Sequence, residues 1–118
     1  MMQVLNTSNT TDENGNPTGG YVKAVGVDIT WQDGPLGRGE ERQEPNGAFV
    51  EGVIEAARQR IDFYQKANNG KFACRENALA ITKLEEALHW LNSRTRRRDE
   101  AGIEGTHVEE NPGFQRAV

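Results

Sequence analysis

A long amphipathic helix, predicted over residues 75–100, constrains the fold of this chain most strongly. Its apolar positions Ile81, Leu84, Leu88 and Leu91 repeat close to a heptad. About 25 residues at 1.5 Å rise give a helix of roughly 37 Å. This is long for a chain of 118 residues. We therefore expect part of the helix to pack on another chain.

A second helix is predicted before it, from about Gly47 to Ala67, with Asn46 as its N-cap. The run Asn68-Asn69-Gly70 supplies the left-handed turn that ends a helix. Its apolar positions form one stripe, which consists of Val50, Val53, Ala57, Ile61 and Tyr64. The two helices together indicate a helical hairpin.

The N-terminal part favours strands. The best strand is predicted over Tyr21–Trp31, with alternate apolar residues on one face, namely Tyr21, Val25, Val27, Ile29 and Trp31. Asn6–Gly20 is rich in breakers and is interpreted as a loop or hairpin connection, and Gln32–Gly47 as a long polar loop. We also expect a weak strand at Met1–Leu5 and a short extended segment from Ile103 to Val108 before a loose tail.

These elements predict an α+β fold in which a small antiparallel N-terminal sheet packs with a long two-helix hairpin. Residues 1–118 form a single domain in this interpretation, with strands and loops in 1–46, the hairpin in 47–100 and the extended segment and tail in 101–118. The hydrophobic fraction of 35% allows only a thin core. Thin cores are often completed by a partner subunit, so we expect a homo-oligomer.

Several classes of protein are disfavoured. No apolar run approaches the roughly 20 residues that span a bilayer, and the first residues do not resemble a secretory signal. A single cysteine, Cys74, excludes an intrachain disulfide and fits a reducing cytoplasm. With His89 and His107 as the two histidines, we expect no metal site and no cofactor. The net charge of −4 argues against general affinity for DNA or RNA.

No convincing catalytic constellation is found, so we expect no enzymatic activity. Cys74 has no histidine near it in sequence, and a lone cysteine is more often a small buried hydrophobe. Glu85 and Glu86 are adjacent on a helix and point to different sides, so they do not pair across a substrate bond.

The first candidate ligand site lies where the second helix begins, at Phe72, Arg75 and Asn77. A helix N-terminus favours phosphate, Arg75 can add a bidentate fork and Phe72 offers a stacking face. Asn77 can bond a base edge or a ribose hydroxyl. A structural interpretation competes, and chemistry alone favours it: Phe72 as a hydrophobic staple, Arg75 on the surface and Asn77 bonding local backbone.

Two further segments have the chemistry of a binding site. Arg94, Arg97 and Arg98 belong to the one dense basic run and form a weaker candidate for a second, phosphate-bearing site, although arginines in a last turn also offset the helix dipole. Thr106 and His107 end the strip GIEGTH, which either lines a pocket or only turns the chain. Trp31 either stacks on a base or belongs to the core.

Taken together, these segments resemble a known family. CRENALAITKLEEALHWLNSRTRRRDEAGIEGTH, residues 74–107, resembles the helical-hairpin domain shared by phage anti-defence sponges, including anti-CBASS sponges. With VDITWQDGPLGRGEERQEPNGAFVEGVIEAARQRIDFYQ, residues 27–65, the chain is similar to the Thoeris anti-defence 1 family from about Tyr21 to His107. The most specific motifs are RENALAITKLEEAL and GIEGTH.

The resemblance implies a viral protein that sequesters a bacterial immune messenger without cleaving it. In that family the messenger is a cyclic ADP-ribose isomer made by a TIR-domain enzyme. The proteins are dimers or hexamers, and hexameric ones also bind cyclic oligonucleotides of CBASS. The implied setting is the cytoplasm of the infected bacterial host. We place the nucleotide at Phe72, Arg75, Asn77, Thr106 and His107.

Two alternatives remain open at this point. One is a sponge specific for the cyclic di- and trinucleotides of CBASS. The other is a non-catalytic phage protein that binds another protein through its helical hairpin. Neither requires a membrane.

Overall fold

The computed structural model describes residues 5–110 and confirms the α+β class with a helical hairpin. In chain order the elements are β1 (Asn6–Thr11), β2 (Pro17–Ala24), β3 (Val27–Thr30), a 3-10 turn (Gly39–Glu41), α1 (Val50–Gly70) and α2 (Arg75–Glu100). The strand predicted at Met1–Leu5 lies outside the described residues apart from Leu5, and the loose tail lies outside them beyond residue 110.

The described chain divides into two compact units. Residues 5–48 and 97–110 form the sheet unit, and residues 49–96 form the hairpin unit. The final residues of α2 therefore belong to the sheet unit. The interpretation of residues 1–118 as one domain stays a prediction.

The single strand predicted over Tyr21–Trp31 is wrong, because the chain reverses within it. β2 ends at Ala24, and β3 begins at Val27 and pairs antiparallel with β2. Gly26 has a φ of 77°, a left-handed conformation that a tight hairpin turn requires and that glycine adopts without strain. Val25, expected on the apolar face, lies at the tip of the turn and is 88% exposed.

The register of the β2–β3 hairpin changes which residues share a face. Val22 lies opposite Ile29, and Ala24 lies opposite Val27. These four residues are half-buried and lie on one face of the sheet, whereas Lys23, Asp28 and Thr30 on the other face are exposed. Tyr21, which was expected beside Ile29, lies opposite Thr30 on the other face.

The segment interpreted as a loop or hairpin connection, Asn6–Gly20, contributes a strand. β1 pairs antiparallel with β2 and completes a three-stranded sheet in the order β1-β2-β3. Asp12 closes the turn between them by accepting hydrogen bonds from the backbone of Asn14 at 2.8 Å and Asn16 at 3.0 Å. The Asn16 backbone bond is the main cause that lowers the pKa of Asp12.

The regular helical backbone of α1 ends where the sequence predicted, at Ala67, although the element as a whole extends to Gly70. Ala67 is extended, and Asn68, Asn69 and Gly70 have φ values of 51°, 55° and 82°. The Gln65 side chain stabilises the connection to α2. It accepts a hydrogen bond from the Cys74 backbone N–H at 2.9 Å and donates one to the Cys74 carbonyl at 3.0 Å.

The capping role predicted for Asn46 is wrong. The residue before α1 is Phe49, and no side chain caps the helix there. The Asn46 amide instead accepts from the Asp33 N–H at 2.8 Å and donates to the Asp33 carbonyl at 3.0 Å. Asn46 therefore closes the long polar loop onto the end of the sheet.

Asn46→Ala should lower stability without changing helix content. The variant loses both amide hydrogen bonds to Asp33, which contribute about 1 kcal/mol between them at this exposed position. Urea unfolding should report that loss, and the far-ultraviolet circular dichroism of the folded variant should match the parent. A fall in helical signal would restore Asn46 to the capping role.

Little apolar surface is buried within the described part of the single chain. Among residues 5–110 no hydrophobic residue is fully buried. In α2 the heptad residues Ile81, Leu84, Leu88 and Leu91 reach only half-burial. A second copy that completes the core stays a prediction, and this shortage of buried apolar surface is its physical reason.

Candidate functional site

The long polar loop and the strip Gly102–His107 meet in the sheet unit. The Gly37 N–H donates to the Gly105 carbonyl at 2.7 Å, and the Arg38 guanidinium donates to the Glu104 carbonyl at 2.9 Å. We call this contact, between residues 36–42 and 102–107, the loop junction. A Cβ added at Gly105 would lie 2.4 Å from the Gly37 carbonyl oxygen, so the approach requires glycine there.

An arginine–carboxylate pair reinforces the loop junction. Arg42 donates two hydrogen bonds to the Glu104 carboxylate, at 2.7 and 3.0 Å. This bidentate contact lowers the pKa of Glu104 below its ordinary value and raises the pKa of Arg42. The two residues are 62 positions apart, so no local pattern in the sequence predicted the pair.

Glu104→Gln should remove a pH-dependent part of the stability. The folded-state pKa of Glu104 lies below its ordinary value of 4.5, so the stabilisation is present above 4.5 and is lost as pH falls through the folded pKa. At pH 7 the variant should melt a few degrees below the parent, and the gap should close at lower pH. Glu44→Gln, an exposed carboxylate in the same loop, is the control. A gap that is constant with pH would contradict this role.

Arg98, near the end of α2, also stabilises the strip Gly102–His107 and the residues after it. The residue is 8% exposed, and its guanidinium donates to the carbonyls of Thr106 at 3.1 Å and Val108 at 3.0 Å. It also donates to the Glu110 carboxylate at 3.3 Å. Residues 103–108, expected to be extended, instead form a turn closed from Thr106 N–H to the Ile103 carbonyl at 3.2 Å.

The predicted second, phosphate-bearing site has a carboxylate beside two of its three arginines. Arg97 and Arg98 both donate to Glu110, which is 9% exposed. The bond from Arg97 is the main cause that lowers the pKa of Glu110. A phosphate bound at Arg97 and Arg98 would have to compete with this carboxylate. The third arginine, Arg94, is exposed and belongs to the hairpin unit.

Thr106 and His107 differ in availability. The Thr106 hydroxyl donates to the Ile103 carbonyl and accepts from the Val108 N–H at 3.1 Å, so it maintains the turn. His107, the next residue, is exposed. The strip therefore turns the chain, as one interpretation expected, and also presents an imidazole to solvent.

Phe72, Arg75 and Asn77 lie together where α2 begins, in the hairpin unit. Phe72 is 58% exposed, with the Lys71 ammonium 5.4 Å from the ring centroid. This exposure counts against a hydrophobic staple. Arg75 is exposed and forms no ion pair with any residue in 5–110, and Asn77 is half-buried. An aromatic face and an unpaired cation are thus presented beside a helix N-terminus.

The predicted site residues fall into two groups. Phe72, Arg75 and Asn77 belong to the hairpin unit, and Thr106 and His107 belong to the sheet unit. Within the sheet unit the structure connects Thr106 to Arg98, which the sequence had assigned to different sites. Trp31 is half-buried, and its backbone N–H donates to the Gly20 carbonyl at 3.0 Å.

The described residues contain neither a metal-binding cluster nor a helix that could span a membrane. Across residues 5–110, no group of three histidine, cysteine, aspartate or glutamate side chains is placed to hold a metal ion. Within the same range, neither helix is long and apolar enough to cross a membrane.

Comparison with known proteins identifies related sequences. The family described as Acb2/Tad1, hairpin domain, matches residues 23–96. A protein of Bacillus phage SBSphiJ7 named "Thoeris anti-defense 1" is 53% identical over 79 residues, which are 67% of this chain and 51% of that protein. The chain thus spans about half the length of this relative. The matched family segment includes β3, α1 and nearly all of α2.

Proposed function

Because the chain belongs to the Acb2/Tad1 hairpin-domain family, we propose that it is a phage anti-defence protein that sequesters a cyclic nucleotide messenger. It binds the messenger in the infected bacterial cell and does not cleave it, so the defence effector stays inactive. The observation that carries this proposal is the 53% identity to a phage protein named for action against Thoeris. The ligand that fits this relation is a cyclic ADP-ribose isomer.

The ligand contacts that we propose in the hairpin unit follow from exposure and charge. Phe72 stacks on the adenine, since base–aromatic stacking needs an accessible ring face. Arg75 pairs with the pyrophosphate, helped by the positive end of α2. Asn77 hydrogen-bonds a base edge or a ribose hydroxyl. What supports these roles is the 58% exposed ring and the guanidinium without an acidic partner in the described chain.

The contacts that we propose in the sheet unit depend on the loop junction. His107 offers an exposed imidazole that can donate to an anionic ligand. Thr106 acts by holding the turn that presents His107, through the bonds of its hydroxyl to Ile103 and Val108. Arg98 and Glu104 fix the same strip, so they are positioning residues and not ligand contacts.

A sequestering protein needs high affinity, and this favours an assembly. A nanomolar Kd corresponds to about −12 kcal/mol, which small ligands reach in sites that cover most of their surface. No hydrophobic residue in 5–110 is fully buried in the single chain. We therefore include a homo-oligomer in the proposal, with the ligand covered in the assembled protein.

The experiment that tests the proposal separates binding from catalysis. The full chain is incubated with a cyclic ADP-ribose isomer, freed of unbound ligand, heated and analysed by mass spectrometry. We expect one messenger of unchanged mass per occupied site. A gain of one water would show hydrolysis and favour an enzyme. Parallel incubation with cyclic di- and trinucleotides decides between Thoeris and CBASS messengers, and retention of neither class would favour a protein-binding module.

A further inference from the structure

The dipeptide Asn-Gly occurs three times in this chain, at residues 14–15, 46–47 and 69–70. Asparagine is a chemically labile residue, and before glycine it reacts readily with its own backbone, because no Cβ shields the glycine nitrogen and the glycine backbone rotates freely. In the folded protein, the reactivity of each asparagine depends on what holds its carboxamide and the glycine that follows it.

The reaction converts asparagine into an acidic residue in two steps. The backbone nitrogen of the glycine attacks the side-chain Cγ of the asparagine and forms a C–N bond, while the bond from Cγ to the amide nitrogen breaks. The leaving group departs as ammonia and takes the proton that the glycine nitrogen gives up. Water then opens the resulting succinimide at one of its two carbonyls, which gives aspartate or isoaspartate. No oxidant or reductant takes part.

The carboxamide of Asn46 is protected by the fold. It accepts a hydrogen bond from the Asp33 N–H at 2.8 Å and donates one to the Asp33 carbonyl at 3.0 Å. A Cβ added at Gly47 would lie 2.5 Å from the Trp31 carbonyl oxygen, so the backbone after Asn46 is closely packed. Ring closure at Asn46 therefore requires both hydrogen bonds to break and a packed segment to rotate.

The carboxamide of Asn14 is accessible, but its attacking group is engaged. Asn14 is exposed at the tip of the β1–β2 hairpin, and the Gly15 N–H donates to the Asp12 carbonyl at 3.0 Å. Asp12 and Glu13 precede Asn14 directly. Their negative charges disfavour the deprotonated nitrogen that attacks Cγ.

The carboxamide of Asn69 is accessible in a more favourable setting. Asn69 is exposed, and its carboxamide forms no hydrogen bond within residues 5–110. Asn68 and Asn69 have φ values of 51° and 55°, a left-handed conformation whose strain is released when the turn rearranges. A Cβ added at Gly70 would meet only the Gln65 carbonyl oxygen, at 3.7 Å. The positive charge of Lys71, the next residue, favours the deprotonated nitrogen.

We propose that Asn69 is the principal site of spontaneous deamidation in the folded protein, through a succinimide formed with the Gly70 nitrogen. The product carries a carboxylate in the connection between α1 and α2, and its isoaspartate form also adds a methylene group to the main chain. The modification goes beyond messenger binding, and its primary test uses no ligand.

Peptide mapping by mass spectrometry measures the rate at each site after the full chain is incubated in mildly alkaline buffer. We expect Asn69 to deamidate at least about tenfold faster than Asn46, whose two hydrogen bonds have to break first, and faster than Asn14. In urea, where the fold no longer protects Asn46, the rates at Asn46 and Asn69 should be similar. Equal rates at these two sites in the folded protein, or fastest deamidation at Asn14 or Asn46, overturn the proposal.

Hydroxylamine tests the intermediate, because it cleaves the chain at a succinimide. We expect the folded protein to release a fragment that ends at Asn69. Asn69→Gln, whose longer side chain closes a ring far more slowly, should abolish this cleavage, whereas Asn14→Gln should leave it unchanged. Circular dichroism verifies that both variants are folded. Cleavage that persists after Asn69→Gln, or that occurs mainly at Asn14 or Asn46, contradicts the proposal.

A consequence for the ligand rests on the proposed function. Asn69→Asp reproduces the charge of the product and should weaken binding of a cyclic ADP-ribose isomer about two- to fivefold, because a carboxylate there opposes the positive end of α2. Gln59→Glu adds the same charge at an exposed position of α1 and should change the affinity little. An Asn69→Asp variant that binds like the parent overturns this consequence, while peptide mapping decides the modification independently.

Discussion

Arg75→Ala should weaken messenger binding roughly 30- to 150-fold, which corresponds to about 2–3 kcal/mol for a lost charge-assisted hydrogen-bonding group at a phosphate. The expectation rests on two features of the structure. Arg75 stands at the start of α2, where the backbone N–H groups and the helix dipole already favour an anion. Its guanidinium also has no ion-pair partner among residues 5–110, so its removal leaves no unpaired carboxylate in that range.

The matched control is Arg96→Ala, which removes an exposed arginine from the same helix. Both variants change the net charge equally, so a difference between them excludes long-range attraction as the cause. Calorimetric titration with a cyclic ADP-ribose isomer measures both. An Arg75→Ala variant with the parent affinity would remove Arg75 from the ligand site.

Gly105→Ala should disrupt the loop junction and cost about 2–4 kcal/mol of folding free energy. Two effects add. The residue has a φ of 80°, a conformation that alanine adopts only with strain, and its Cβ would lie 2.4 Å from the Gly37 carbonyl oxygen. Because the clashing atom is backbone, the loop has to move away and the Gly37–Gly105 hydrogen bond is lost.

Gly102→Ala provides the control, because it separates the two effects. Gly102 has a φ of 77°, but a Cβ there meets nothing within 4 Å. This variant should lose only about 1 kcal/mol, the cost of the left-handed conformation. Hydrogen exchange of the Gly37 amide should rise sharply in Gly105→Ala and little in Gly102→Ala. Equal losses of stability in the two variants would contradict a close contact at the junction.

If the loop junction positions His107, Gly105→Ala should also weaken messenger binding more than Gly102→Ala does. Retained affinity in a folded Gly105→Ala variant would show that His107 and its turn lie outside the ligand site.

The helices were predictable because their signals are local. The heptad spacing from Ile81 to Leu91 lies within α2 itself. The residues Asn68-Asn69-Gly70 lie directly at the end of α1 that they terminate. The predicted range of α2, residues 75–100, is the observed one.

The strands were harder to predict because the turn of a short hairpin leaves only a weak signal in the sequence. The run from Tyr21 to Trp31 is rich in β-branched residues, and the two-residue turn at Val25-Gly26 interrupts it with only one glycine as a signal. A shift of pairing by one residue exchanges the faces of a strand, so the predicted apolar face was wrong as soon as the turn was missed.

The polar contacts of the site were beyond sequence analysis for a different reason. Arg98 is held by backbone carbonyls of Thr106 and Val108, and any residue type offers a carbonyl. Arg42 and Glu104 are brought together only by the path of the loop. The charge run that indicated an anion site contains arginines that serve the fold, and composition alone does not distinguish the two uses.

Native mass spectrometry of the full chain with a cyclic ADP-ribose isomer tests the sequestration of an intact messenger most directly, because it counts subunits and bound ligands in one spectrum. We predict an assembly of more than one copy that carries messenger of unaltered mass, and release of the same molecule on collisional activation. Subunits without ligand at saturating messenger, or a bound species whose mass has changed, would contradict the account.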